Sequence, residues 1–157
     1  MPPFHVNVED EFSASSEGFM ITIHGKPIPK KRYNPIRRYN PSKAAQEQFT
    51  FQAKHLFGLH GVELSTVNFG EAELEASFKF YLPRPKKSGK ITQPPDDDNL
   101  VKFVQDAFQK NKNEKNFYVN DSQFTKIAAE KNYDVTSGNS IGYTILSISK
   151  RVVSVED

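Results

Sequence analysis

Asp96-Asp97-Asp98-Asn99-Leu100-Val101-Lys102-Phe103-Val104-Gln105-Asp106-Ala107-Phe108 is the stretch on which the fold turns. Leu100, Phe103, Val104, Ala107 and Phe108 fall at i, i+3, i+4, i+7 and i+8, the apolar stripe of an amphipathic helix. The helix begins at Asp97 or Asp98, where free backbone N–H groups suit carboxylates. Such a helix must lay its stripe on something, and the flanking segments say what. Leu74, Ala76, Phe78 and Phe80 alternate with Glu73, Glu75, Ser77 and Lys79, a half-buried strand that Pro83 and Pro85 end.

Downstream, residues 123–133 read as a strand with Thr125, Ile127, Ala129 and Tyr133 in alternation. Ser137-Gly138-Asn139 is a hairpin turn signal, and residues 141–153 form the returning strand. Upstream, Phe19 to His24 is a strand that stops at Gly25-Lys26-Pro27. After a proline-punctuated loop, Ser42 reads as the cap of a helix carrying Ala45, Phe49, Ala53, Leu56 and Phe57. The order β-α-β-α-β-β predicts an α/β fold, a single compact domain with a mixed β-sheet and two main helices. It spans residues 19–153 behind a flexible acidic leader, residues 1–18.

The chain has 157 residues with 21 Lys+Arg, 19 Asp+Glu and no cysteine. That length suits one domain with a substantial core. The lack of cysteine removes disulfides, thiolate metal sites and a cysteine nucleophile. No apolar run approaches the ~20 residues of a membrane span, and no secretory signal is visible, so a reducing compartment is expected. The net charge of +2 is uneven. Both ends are acidic, and residues 18–155 alone carry +8. Lys26, Lys30, Lys31, Arg32, Arg37, Arg38 and Lys43 crowd one loop; Lys79, Arg84, Lys86, Lys87 and Lys90 crowd another. Basic loops on a folded body suit a polyanion, although solvated loops also carry such charge.

Three adjacent carboxylates repel one another. One reading of Asp96-Asp97-Asp98 is a helix N-terminus that tolerates them. The other is a site for a hard divalent cation, which takes carboxylate, water and phosphate oxygens. In an extended approach to the helix, Asp96 and Asp98 point to one side and Asp97 to the other. Lys102 lies one turn beyond Asp98, either as an i,i+4 partner or as a cation for a phosphate. Asp121, in Asn120-Asp121-Ser122-Gln123-Phe124, is turn chemistry at a strand start unless the fold brings it to the other two. Tyr33, Tyr39 and Tyr81 could stack on bases or anchor loops. The four histidines lack metal-ligand spacing, and no G-x-S-x-G elbow exists.

With these residues assembled, the chain resembles the RusA family of Holliday junction resolvases, which includes phage-borne members. The resemblance rests on Asp96-Asp97-Asp98-Asn99-Leu100-Val101-Lys102, continuing through Gln105-Asp106-Ala107-Phe108, and on Asn120-Asp121-Ser122-Gln123-Phe124. The segment Gly25-Lys26-Pro27-Ile28-Pro29-Lys30-Lys31-Arg32 is similar to the family's basic stretch after the first strand. It implies a RusA-like fold and catalytic, metal-binding aspartates at Asp96, Asp98 and Asp121, with Lys102 the functional lysine. It also implies Mg²⁺ dependence with Mn²⁺ as a substitute, a homodimer, and paired symmetric nicks in four-way DNA junctions during recombination and repair. Lys26, Lys30, Lys31, Arg32, Arg37, Arg38, Arg84, Lys86 and Lys87 would then track DNA phosphates. A cytoplasmic, nucleoid-associated location follows, with no membrane partner. The rival readings are a non-catalytic branched-DNA binding protein and a purely structural or cation-buffering acidic cluster.

Overall fold

The computed structural model describes residues 3–31, 41–83, 96–109, 117–118, 120–134 and 141–152. In chain order the elements are β1 (Ser13–Ser15), β2 (Gly18–His24), α1 (Lys43–Leu59), β3 (Leu74–Leu82), α2 (Asp97–Phe108), β4 (Phe124–Tyr133) and β5 (Tyr143–Lys150). Short 3₁₀ turns precede β3 and β4, at Leu64–Thr66 and Asp121–Gln123. The strands form one mixed sheet in the order β1-β2-β5-β3-β4, in which only the β3–β4 pair is parallel. The predicted α/β class, the mixed sheet and both helices are therefore observed.

Alternation along the strands becomes rows across the sheet. Ile21, Leu146 and Phe78 are neighbours and end at Ala129; Phe19, Ile148 and Ala76 end at Ile127. A third row runs Ile23, Thr144, Phe80 and ends at Lys131. Against this face lie the buried stripes of α1 (Phe49, Ala53, Leu56, Phe57) and α2 (Leu100, Phe103, Val104, Ala107, Phe108). The helices are also locked by polar bonds: Gln46 Nε2 donates to Phe103 O (3.2 Å) and Thr50 Oγ1 to Ala107 O (2.6 Å). Both pairs are spaced i,i+4, so the lock fixes the rotation of one helix on the other.

Three expectations are corrected. The segment expected to be a flexible leader, residues 1–18, packs into the fold over its described part, from residue 3. Phe4 is buried edge-on to Phe49, with centroids 5.1 Å apart, and Phe12 sits 5.2 Å from Phe57. His5 exchanges two backbone hydrogen bonds with His24, and β1 adds a strand beside β2. The acidic composition had hidden two phenylalanines placed to reach the core. Gly25 makes room for this crossing: at φ +133°, a Cβ there would lie 2.3 Å from Pro3 O.

Second, β4 and β5 do not form a hairpin, because β3 lies between them. β3, which buries Leu74, Ala76, Phe78, Phe80 and Leu82, takes the place between β5 and β4, and β4 is left at the edge. The turn signal at residues 137–139 lies outside the described residues. Third, Thr125 leaves the alternation. The β3–β4 register shifts there, and Arg151 Nη1 donates to both Thr125 O (3.2 Å) and Thr125 Oγ1 (3.1 Å). Ser42 does precede α1, but its hydroxyl makes no cap bond and instead accepts Lys31 N at 2.9 Å.

Phe108 is wholly buried, with ring centroids 4.5 Å from Phe117 and 5.5 Å from Phe49. Phe108→Ala should lower unfolding stability by roughly 3–5 kcal/mol. Urea denaturation would show this as a lower midpoint at an unchanged slope; a loss below about 1 kcal/mol would mean that α2 is not seated in this core.

Candidate active site

Asp96 occupies the capping position of α2 with extended backbone (φ −65°, ψ 142°), yet its side chain makes no cap hydrogen bond. The simplest structural use of an aspartate at a helix start is thus not taken up. Asp97 turns toward the sheet: its Oδ1 is enclosed and faces Lys131 Nζ of β4 at 3.5 Å. Asp96 and Asp98 are exposed. Only Asp96 is extended; Asp97 and Asp98 already lie in the first turn of α2, so their different directions follow from the helical step and not from the extended approach expected. Lys102 is exposed one turn beyond Asp98, off the buried stripe.

The lysine at position 131 is explained by its row. The helix-side row Ile23–Thr144–Phe80 runs out at the sheet edge, where a long stem can lie on apolar surface and lift its charge toward Asp97.

Asp121 stands at the other end of β4. Asn120 Oδ1 accepts Ser122 N (3.0 Å), and Gln123 Oε1 accepts Asn120 N (2.9 Å). Gln123 Nε2 then donates to Gly70 O (2.9 Å) and Ala72 O (3.0 Å), fastening this turn to the start of β3. From Phe124 to Lys131 the strand spans about 23 Å. The side chains of Lys131 and Asp97 cannot close such a gap. One chain thus holds its two acidic elements at opposite ends of β4. Among the described residues, no three His, Asp or Glu side chains are gathered to hold a metal ion.

Two groups that sequence reasoning passed over link these ends. Tyr118 is buried, edge-on to Phe124, and its hydroxyl donates to Gln105 O. Burial, then the nearby carboxylates of Asp106 and Asp121, hold this phenol well above its usual range. Asp106 also pairs with Lys30, whose backbone N donates to Asn99 O (2.9 Å). Lys30 therefore lies along the exposed side of α2 from Asn99 to Asp106, about 10 Å of helix. Its charge is engaged within the chain. The Asp106 signal was present as a charge at helical spacing from Asp98 and Lys102, but its partner comes from 76 residues away.

Lys26 and Lys31 are exposed on the same segment. Arg32, Arg37, Arg38, Arg84, Lys86 and Lys87, together with Tyr33 and Tyr39, lie outside the described residues. Tyr81 stacks on Tyr143 at 4.3 Å, a packing role within the sheet.

The family model for the endodeoxyribonuclease RusA matches residues 24–142, from the last residue of β2 to the residue before β5. This chain belongs to the RusA family. Both acidic elements, α2 and the basic segment after β2 lie inside the match. RusA proteins are endonucleases of Holliday junctions, so this is a DNA-binding nuclease that acts on branched DNA in recombination. No curated protein matches the chain closely enough for comparison. No helix among the described residues is long and apolar enough to cross a membrane.

The Tyr118 phenol gives a pH signature. Its native pKa lies above the unfolded value of 10.0, so the stabilisation is present below pH 10 and falls as pH rises further. The unfolded chain loses the proton first, so it binds fewer protons than the native chain in that window. Urea unfolding at pH 8 and pH 11 should show a steeper loss for the parent chain than for Tyr118→Phe. At pH 7 the same variant should cost about 1 kcal/mol for the lost hydrogen bond. Equal alkaline losses in the two proteins would contradict the buried setting of the phenol.

Proposed function

We propose that this RusA protein is a Mg²⁺-dependent enzyme that resolves four-way junctions by paired symmetric nicks, acting as a homodimer in DNA recombination and repair. The observation that carries the reading is the family match over residues 24–142 together with the solvent-facing pair Asp96 and Asp98, the first of which makes no cap hydrogen bond to α2. This donor set suits Mg²⁺, a hard ion that usually takes one or two protein carboxylates and keeps waters and phosphate oxygens as its other ligands. Mn²⁺ would substitute on the same oxygens.

Asp96 and Asp98 would hold the ion, with Asp121 supplying the third carboxylate. When bound, Mg²⁺ polarises the scissile phosphate and lowers the pKa of a water. Hydrolysis forms one P–O bond from water and breaks the bond to one deoxyribose oxygen. Lys102 lies beside Asp98 and would offset charge gathering on the phosphate. Lys131 keeps Asp97 turned inward, and Lys30 neutralises Asp106, so two of the local carboxylates do not repel incoming DNA. Lys26 and Lys31, with Arg32, Arg37, Arg38, Arg84, Lys86 and Lys87, would follow the phosphate backbone.

The dimer is supported by the separation of the acidic elements. If Asp121 belongs with Asp96 and Asp98, a second chain must provide it. A two-fold assembly also fits a junction that is itself close to two-fold symmetric.

A labelled synthetic four-way junction, a linear duplex and a single strand, each with Mg²⁺ or EDTA, test this directly. Nicking should be junction-selective and should stop in EDTA. Asp98→Asn should slow it on the order of a hundredfold or more with junction binding retained. Junction affinity should fall steeply as salt rises, since each phosphate contact releases a counterion. Binding without cleavage in both Mg²⁺ and Mn²⁺ would instead indicate a non-catalytic branched-DNA binding protein. Native-rate cleavage by Asp98→Asn would remove Asp98 from the site.

A further inference from the structure

The turn that carries Asp121 is shaped locally but placed from afar. Within it, Asn120 Oδ1 accepts Ser122 N, and Gln123 N donates to Asn120 O at 3.1 Å. These bonds fix the shape of the turn and not where it stands on the sheet. The strand ladder adds little hold there. Leu74 faces Phe124, but Glu75 already faces Lys126, so Thr125 takes no partner on β3. An extra residue of this kind bends a strand and breaks the ladder locally.

Gln123 supplies the hold that the ladder does not. Its Oε1 accepts Asn120 N, and its Nε2 donates to Gly70 O and Ala72 O. Those two carbonyls belong to a tight turn before β3, closed by Ala72 N on Phe69 O (3.0 Å) and by left-handed Gly70 (φ +53°). Phe69 is buried and packs on Phe19 with centroids 6.1 Å apart, so this second turn is rooted in the core. One side chain thus joins the acidic turn to a fixed point of the scaffold.

Position 123 requires an amide of this length. Asn120 N needs an acceptor, while Gly70 O and Ala72 O need donors. A primary amide offers both at once. A glutamate would set carboxylate oxygen against two carbonyls, and an asparagine would stop one methylene short. Among the described residues, the Asp121 carboxylate itself makes no hydrogen bond or ion pair. The residues on either side of it are tied down, and the carboxylate is left to present.

We propose that Gln123 is the positioning residue of Asp121: it seats the acidic turn on the scaffold and thereby sets how tightly the site holds its divalent ion. This rests on the reading of Asp121 as a ligand and adds the residue through which the fold controls it. Groups that orient a metal ligand without touching the ion commonly govern affinity by about ten- to a hundredfold.

The latch can be read in metal-free protein. Amide hydrogen exchange at Asn120 should quicken in Gln123→Met, which loses the acceptor and both donors. Mn²⁺ affinity, measured without DNA from the paramagnetic resonance signal of the free ion, should fall about tenfold or more in Gln123→Met and in Gln123→Asn. Junction nicking at saturating DNA should slow by a similar factor, with KM for the junction little changed. Gln123 is half-buried at the rim, so its variants should lower the urea midpoint less than Phe108→Ala does. A general packing role would not survive the comparison made in an Asp121→Asn background. If Gln123 acts through Asp121, adding Gln123→Met there should change Mn²⁺ affinity and nicking by less than about twofold, whereas independent effects would multiply.

Native Mn²⁺ affinity in both Gln123 variants, unchanged exchange at Asn120, or multiplied losses in the double variant would overturn the proposal. Asp121 would keep its place in the site in those cases, provided that Asp121→Asn alone weakens Mn²⁺. An Asp121→Asn variant with native Mn²⁺ affinity and native nicking would remove Asp121 from the site and the role of Gln123 with it.

Discussion

One face of α2 is buried along its length, and two side chains of α1 donate to its backbone at Phe103 O and Ala107 O. Apolar burial alone would let a helix rotate by tens of degrees at modest cost, since neighbouring side chains can repack. Two hydrogen bonds to carbonyls one turn apart do not permit that. With the rotation set, Asp98, Asn99, Lys102 and Asp106 necessarily form the outer stripe. The position of the acidic first turn over the end of β4 follows from the same lock.

The charged groups then divide into two kinds. Lys30 with Asp106 and Lys131 with Asp97 pair across elements that are distant in sequence, each half-buried on a rim of the core. Asp96 and Asp98 face solvent on the same turn. Adjacent carboxylates with different fates are what a site requires of its scaffold: a neighbouring cation absorbs the one that would only add repulsion. The net charge of +2 conceals this arrangement, because ion pairs and site carboxylates enter the sum alike.

The helices and strands were legible because each carries its own period. The 3.6-residue stripe of α2 and the two-residue alternation of β3 need no knowledge of partners. Asp121 at a strand start was legible for the same reason, since Asn-Asp-Ser-Gln closes its turn through side chains within four residues. Partner choice was not legible. The proximity of the last two strands suggested a hairpin, but β3 is apolar enough to win the place between them, and that competition is decided by the whole sheet. Phe4 and Phe12 were lost among acidic neighbours, because burial of a lone aromatic has no period to reveal it. Whether Asp121 serves the same site as Asp98 could not be read either, since it depends on what lies beyond the edge of β4.

The position of β5 bears on how the chain comes together during synthesis. β5 is the last strand in sequence, yet it lies between β2 and β3 and pairs with both. Until Lys150 has left the ribosome, β2 and β3 lack the neighbour that joins them, and the rows through Ile21 and Phe78 are cut at Leu146. The β3–α2–β4 unit can form earlier from local segments, but β1 and β2 have no sheet to join. Nascent chains halted before Tyr143 would therefore carry two separate apolar surfaces and would depend on chaperones or be degraded. Completion of this sheet is gated by β5, the last of its described strands in sequence, because it alone joins β2 to β3.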